Sequence, residues 1–203
     1  MTLELQTQAF RLRIELDRTE PLVWRRIEIL TSATFWDLHV AIQDAFGWMD
    51  CHLHQFEVES PTGSIHIGVP DEYAREPILE GWTVSLSRYL GQVRTLTYLY
   101  DFGDDWRHTI HLEEVMDADG ENYPRCLAGE NATPPEDCGG VYGYEELKQV
   151  LIGPKNARYK EMRSWLKEGH AKAYWPFDPN DFEVSDVQFT NAKLRLKRYL
   201  KNT

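Results

Sequence analysis

Residues 96–112 constrain the chain most. Leu96, Tyr98 and Tyr100 alternate with Thr97, Leu99 and Asp101, and after a short break Trp106, His108, Ile110 and Leu112 alternate with Arg107, Thr109 and His111. Period-two alternation marks half-buried strands, so the stretch reads as a β-hairpin with one apolar and one polar face. Gly103 is the residue expected to take the unusual backbone angles of the reversal. The tip crowds three carboxylates, Asp101, Asp104 and Asp105, and such close like charges are unfavourable unless a cation or several donors offset them. A chain organised on this hairpin needs further strands beside it and a layer to cover its apolar face.

The flanking sequence supplies both. Phe10, Leu12, Ile14 and Leu16 alternate with Arg11, Arg13 and Glu15 as another half-buried strand. From Leu22 to Leu30 the apolar parity shifts across Arg25-Arg26, the mark of a bulge. Thr34 and Asp37 form a capping-box pattern ahead of Phe35, Leu38, Ile42, Ala45 and Phe46 at helical spacing, and Gly47 ends that helix. A strand is expected over Cys51–Glu59, with His52, His54, Phe56 and Val58 on one face, and a returning strand over Ser64–Ile67. Ser85 caps a short helix through Leu90. Residues 123–140 show no period and read as an irregular loop rich in Pro and Gly; a loop of that length points to function or disorder. Beyond it the pattern is helical, marked by Tyr144, Leu147 and Leu151, then by Tyr159, Met162 and Leu166, and finally by a basic helix over Ser185–Leu200. The order defines an α+β fold rather than an alternating α/β sheet: an antiparallel or mixed sheet with one early helix, and a helical C-terminal part packed on it. Its opening strand-strand-helix-strand-strand order permits a β-grasp-like roll. No linker or repeat divides the chain, so residues 1–203 are expected to form a single domain.

Charge and cysteine usage narrow the function classes. The net charge of −11 argues against a sequence-independent grip on nucleic acid, which needs clustered Lys and Arg. No apolar run approaches the roughly 18 residues of a membrane span, and Met1 to Gln8 carry no signal-peptide pattern. Three sparse cysteines, Cys51, Cys126 and Cys138, suit a reducing compartment. These features point to a cytoplasmic protein with no membrane partner.

Five stretches carry a resemblance. They are Pro21-Leu22-Val23-Trp24-Arg25-Arg26-Ile27; Phe46-Gly47-Trp48 with His52-Leu53-His54-Gln55-Phe56; Tyr100-Asp101-Phe102-Gly103-Asp104-Asp105-Trp106-Arg107-His108; Tyr123-Pro124-Arg125-Cys126; and Pro134-Pro135-Glu136-Asp137-Cys138-Gly139-Gly140 with Gly143-Tyr144. In this order, across nearly the whole chain, they resemble the plasmid pRiA4b ORF-3-like family. Thr133 stands where that family often has a cysteine, which removes any metal or redox role for that thiol here. The resemblance implies an α+β fold and no established activity. Some relatives carry a transposon-resolvase label, and no catalytic residue comes with it.

The candidate chemistry lies at the hairpin tip and in the loop over 123–140. Asp101, Asp104 and Asp105 offer oxygen ligands for a divalent cation; equally, they suit a solvated turn in which Asp104 binds backbone amides and Asp101 pairs with Arg25, Arg26 or Arg107. His52 and His54, two apart on one strand face, are metal candidates together with Asp101 and Asp104, although no Cys-x-x-Cys or His-Glu-x-x-His spacing accompanies them. The binding set expected from the sequence is Arg25, Arg26, Tyr100, Asp101, Asp104, Asp105, Trp106 and His108, with Asp137 from the loop. Exposed aromatics such as Trp24 and Trp106 with Arg11 and Arg13 would suit bases and phosphates, whereas as core they would only pack. Lys193, Arg195, Lys197, Arg198 and Lys201 give the last helix a basic face for acidic loops or an acidic partner. The leading expectation is a binding or interaction module for an unidentified ligand or protein. The alternatives are a metal-dependent enzyme acting on phosphodiesters, with Asp101, Asp104 and His108 or His54 as ligands, and a nucleic-acid-binding accessory of a mobile element. No cofactor is named by the sequence.

Overall fold

Leu12, Ile14 and Leu16 are fully buried while Arg11, Arg13 and Glu15 between them face the other way, so β1 (Gln8–Leu16) has the two-faced character its alternation predicts. The computed structural model describes residues 7–61, 63–71 and 74–202. The N-terminal stretch read for a signal pattern lies outside them as far as residue 6. β1 pairs antiparallel with β2 (Val23–Leu30) and with β7 (Trp106–Asp117). β3 (His54–Ser60), β4 (Gly63–Gly68), β5 (Ile78–Glu80), β6 (Thr95–Tyr100) and β8 (Arg125–Glu130) complete one mixed eight-stranded sheet in the order β5-β4-β3-β6-β7-β1-β2-β8. Among the described paired strands of this sheet, β4 and β5 are the parallel pair. The β6–β7 hairpin is inserted between β3 and β1, which brings the loop before β3 beside the hairpin tip.

One face of the sheet is covered by α1 (Phe35–Phe46). Thr34 and Asp37 form the expected capping box, and Gly47 closes the helix in the left-handed region at φ 74°. Phe35, Leu38, Ile42 and Phe46 pack into a core shared with Leu12, Ile14, Phe56, Tyr98 and Ile110. α2 (Gly140–Ile152) and α3 (Ala157–Glu168) send Leu147 and Leu166 into that same core. α4 (Ala192–Asn202) lies against α1: the Trp36 indole donates to Ala192 O, and Arg195 pairs with Asp44. The opposite sheet face is ionic, with Arg11 on Glu28 and Glu114, Arg26 on Glu113, and Arg125 on Glu28.

Several expectations are corrected. Residues 125–130 are not loop but β8, an edge strand beside β2. Its register slips opposite Arg26/Ile27, so Leu127 has no partner on β2 and the alternation is lost. Gly129 allows the close approach: a Cβ there would stand 2.6 Å from the Phe182 ring and 2.7 Å from Trp24 O. The last helix starts at Ala192 rather than Ser185, because Asn191 caps it through Leu194 N while Thr190 binds Asp44. At the hairpin tip the positive φ angles fall on Asp101 and Asp105, both at 56°, not on Gly103. Asp tolerates that region because its side chain binds nearby backbone, here Asp101 Oδ1 accepting from Gly103 N at 2.8 Å.

Candidate functional site

Three segments meet at the hairpin tip. Asp50 adopts φ 54°, so the chain turns before β3, and period-two geometry does not extend back to residue 52. His52 and His54 therefore do not share a face as the sequence suggested. His54 is buried, stacked on His39 with ring centroids 3.5 Å apart, while His52 turns to the tip. Asp101 N donates to Leu53 O at 3.0 Å and fastens the tip to that loop. The third segment follows Pro134-Pro135 and turns at Glu136 and Asp137, with Asp137 at φ 56°, which delivers both side chains.

The imidazole Nε2 of His52 stands 3.3 Å from Asp137 Oδ1, 3.5 Å from Asp101 Oδ2 and 3.7 Å from Glu136 Oε2. It makes a hydrogen bond to none of them, and Glu136 Oε2 is likewise unpartnered. Glu136 is 0% exposed. Its other oxygen, Oε1, accepts from Met49 N at 2.8 Å and from the Tyr100 hydroxyl at 2.9 Å. Burial raises the Glu136 carboxyl above its ordinary range, against those donors and His52. The Tyr100 hydroxyl is also raised, by burial and then by Glu136, so it stays a donor; it accepts in turn from Cys51 N at 3.1 Å. The Cys51 sulfur joins His52 and Glu136 within 4.8 Å, as do His52, Asp101 and Asp137. Burial holds the Cys51 thiol above its usual value.

The spacing of His52 from each oxygen is that of neighbouring ligands around a metal ion, and the donors fall into two groups that share His52, one with Asp101 and Asp137, the other with Cys51 and Glu136. Four ligands bound at about 2.1 Å in a tetrahedron stand roughly 3.4 Å apart. A protonated imidazole would instead direct its single Nε2–H at one acceptor. Imidazole with carboxylates, and a thiol at the edge, is a donor set for Zn²⁺ or a neighbouring transition ion rather than for Mg²⁺ or Ca²⁺, which take oxygen alone. The Asp137 side chain is half exposed and His52 partly so, so the cluster opens to solvent on that side.

Other residues expected at the site lie elsewhere. Asp104 Oδ2 accepts from Gly139 N at 3.1 Å, just ahead of α2, and is not in the groups around His52. Asp105, rather than Asp101, pairs with Arg107, and also with Arg18. Arg26 is spent on Glu113. Arg25 is buried without a carboxylate. Its guanidinium donates to the carbonyls of Trp24, Ala45, Glu130 and Asn131 and to Thr133 Oγ1, and stacks 3.7 Å from the Phe182 ring. Burial lowers it to about 10. Trp106 and His108 are core: His108 Nδ1 donates to Tyr98 O, the ring meets Phe46 edge-on at 4.9 Å, and burial depresses it to about 4. The sequence reading thus named His52, Asp101, Tyr100 and Asp137, and missed Glu136, whose only signal is its place between two prolines and Asp137.

An α+β protein with a solvent-open histidine–carboxylate cluster at one end of a mixed sheet is the class these features define. The chain belongs to the plasmid pRiA4b ORF-3-like protein family, whose profile matches residues 8–186. It is 34% identical over 157 residues to the uncharacterized protein y4hQ of Sinorhizobium fredii (strain NBRC 101917 / NGR234), covering 76% of this chain and 79% of that one. It is also similar to the crystal structure of the protein of unknown function MM3350 from Methanosarcina mazei Go1. That comparison gives a TM-score of 0.80 at 35% identity and covers 91% of this chain and 99% of the other. Neither relative's description assigns an activity. Among the described residues no helix is long and apolar enough to cross a membrane.

Proposed function

We propose that the protein binds one divalent transition-metal ion, Zn²⁺ by the chemistry of its donors, through His52, Asp101, Glu136 and Asp137, with Cys51 at the margin. The observation that carries this reading is the His52 nitrogen held 3.3–3.7 Å from three carboxylate oxygens with no hydrogen bond to any. A metal would neutralise three carboxylates at once and satisfy both orphaned atoms. With four protein ligands in place, water would reach the ion only as a fifth ligand from the solvent-facing edge, and hydrolytic chemistry would depend on that expansion. Within this reading Asp101 keeps the role of ligand, while Asp104, His54 and His108 do not.

An interaction module is the second reading, favoured by one observation. Met49, Leu53 and Phe102, neighbours in sequence of the ligand residues, are large apolar side chains between 44% and 52% exposed. A metal would then organise a docking surface instead of a reaction. The net charge and the consumption of Arg11, Arg25 and Arg26 in internal contacts support neither a nucleic-acid grip nor a mobile-element role through these arginines.

Calorimetric titration of chelator-treated protein with Zn²⁺ tests the proposal. One site per chain is expected, lost or much weakened in Asp101→Asn and Asp137→Asn and retained in Asp104→Asn. Equal binding by all three variants, or none by the wild type, would sink it.

A further inference from the structure

A second pocket adjoins the cluster. It has a volume of about 360 Å³ and shares Cys51 and His52 with the cluster. Its remaining wall includes Trp36, His54, Arg198 and Tyr199. Three features give it the character of a binding site. The first is cationic. In a chain of net charge −11, carboxylates for an arginine are plentiful. Arg195 on the same helix takes two, Asp44 and Asp50, at 2.8 and 2.6 Å. Arg198, one turn later, has no ion-pair or hydrogen-bond partner among the described residues. The second feature is polar. His54 is only 4% exposed and lines the pocket, yet its ring makes no hydrogen bond to a described residue, and an imidazole always carries an N–H to donate. The third is aromatic. Trp36 and Tyr199, whose rings lie 5.6 Å apart and tilted by 42°, both line the pocket with Arg198.

We infer that this pocket binds an aromatic phosphate ester, its phosphate held by Arg198 and the His54 N–H and its ring against Trp36 and Tyr199, next to the metal position. The inference rests on the metal-centre reading for its meaning, since a phosphate there lies beside a Lewis acid; the pocket's own groups suffice for binding. A guanidinium is the preferred partner for a phosphate because its donors match the oxygens in pairs. Arg198 lies on α4, so the pocket is completed only when that helix is docked on α1.

Phenyl phosphate and inorganic phosphate serve as probes, titrated calorimetrically into chelator-treated protein so that no metal contributes. Saturable binding of phenyl phosphate is expected, tighter than inorganic phosphate, and weakened about tenfold or more in Arg198→Gln. Lys197→Gln, which removes another exposed cation of α4 that does not line the pocket, should bind phenyl phosphate as the wild type does. No saturable binding to the wild type, equal binding by Arg198→Gln, or no preference for phenyl phosphate over inorganic phosphate would overturn the assignment. If the wild type takes up no Zn²⁺ yet binds phenyl phosphate through Arg198, the pocket stands and the metal-centre reading alone falls.

Discussion

The Tyr100 hydroxyl donates to Glu136 Oε1 across 2.9 Å, which leaves the second oxygen of that buried carboxylate turned toward His52 at 3.7 Å. The pair links β6 to the segment after Pro135 and fixes which oxygen is offered to a metal. Partners that orient a ligand in this way typically change metal affinity by about ten- to a hundredfold when removed. Tyr100→Phe is therefore expected to weaken Zn²⁺ binding by about that factor while keeping one site per chain, as read by competition with a chromophoric chelator. Unchanged affinity would show that Tyr100 only packs.

Asp104 and Asp101 are three residues apart and predicted to behave oppositely. Asp104 holds Gly139 N at the entry to α2, so Asp104→Ala should lower stability by about 1 kcal/mol and leave metal stoichiometry intact. Asp101→Asn removes charge from the carboxylate cluster; it should abolish metal-dependent stabilisation and leave the metal-free melting temperature level or raised. Thermal melts with and without Zn²⁺ separate the two. A metal-dependent shift lost in Asp104→Ala and kept in Asp101→Asn would reverse the assignment.

Arg25 holds four backbone carbonyls and Thr133 with one guanidinium. Lysine cannot span that set, and leucine would leave every acceptor unpaired. Both Arg25→Lys and Arg25→Leu should cost about 3 kcal/mol or more, measured by urea denaturation. A loss below about 1 kcal/mol would mean that water replaces the guanidinium.

Stability should fall with acidification for a reason separate from the metal. His108 is depressed by burial from an ordinary 6.5 to about 4, and His39 and His54 are lowered for the same cause. The unfolded chain binds these protons first. The contribution is thus complete above pH 6.5 and is lost as pH falls toward 4, about 3 kcal/mol for His108 alone. Denaturant titrations of metal-free protein between pH 7.5 and 4.5 should show this slope, shallower in His108→Phe. A variant with the wild-type slope would locate the effect elsewhere.

The sheet was legible where side chains alternate without interruption. β1, the β6–β7 hairpin and the Thr34-capped helix stand where their patterns put them. Patterns fail where the backbone departs from regular geometry. β8 is hidden by its bulge opposite Arg26/Ile27, and the two histidines exchange roles because Asp50 turns the chain before the strand begins. For the cluster, Asp101, Asp137 and His52 were visible as residues of suitable chemistry, but their meeting was not. It depends on Asp101 N reaching Leu53 O and on Met49 N gripping Glu136, contacts between segments up to 87 positions apart. Burial, which makes Glu136 a group of interest, has no local signature in sequence.

Anomalous diffraction from crystals grown with Zn²⁺, recorded on either side of the zinc edge, tests the central claim most directly. The account predicts a peak within about 2.2 Å of His52 Nε2 and of carboxylate oxygens from Asp101, Glu136 and Asp137. Zinc found only at other sites, with His52 Nε2 hydrogen-bonded to one carboxylate in the same crystals, would contradict it.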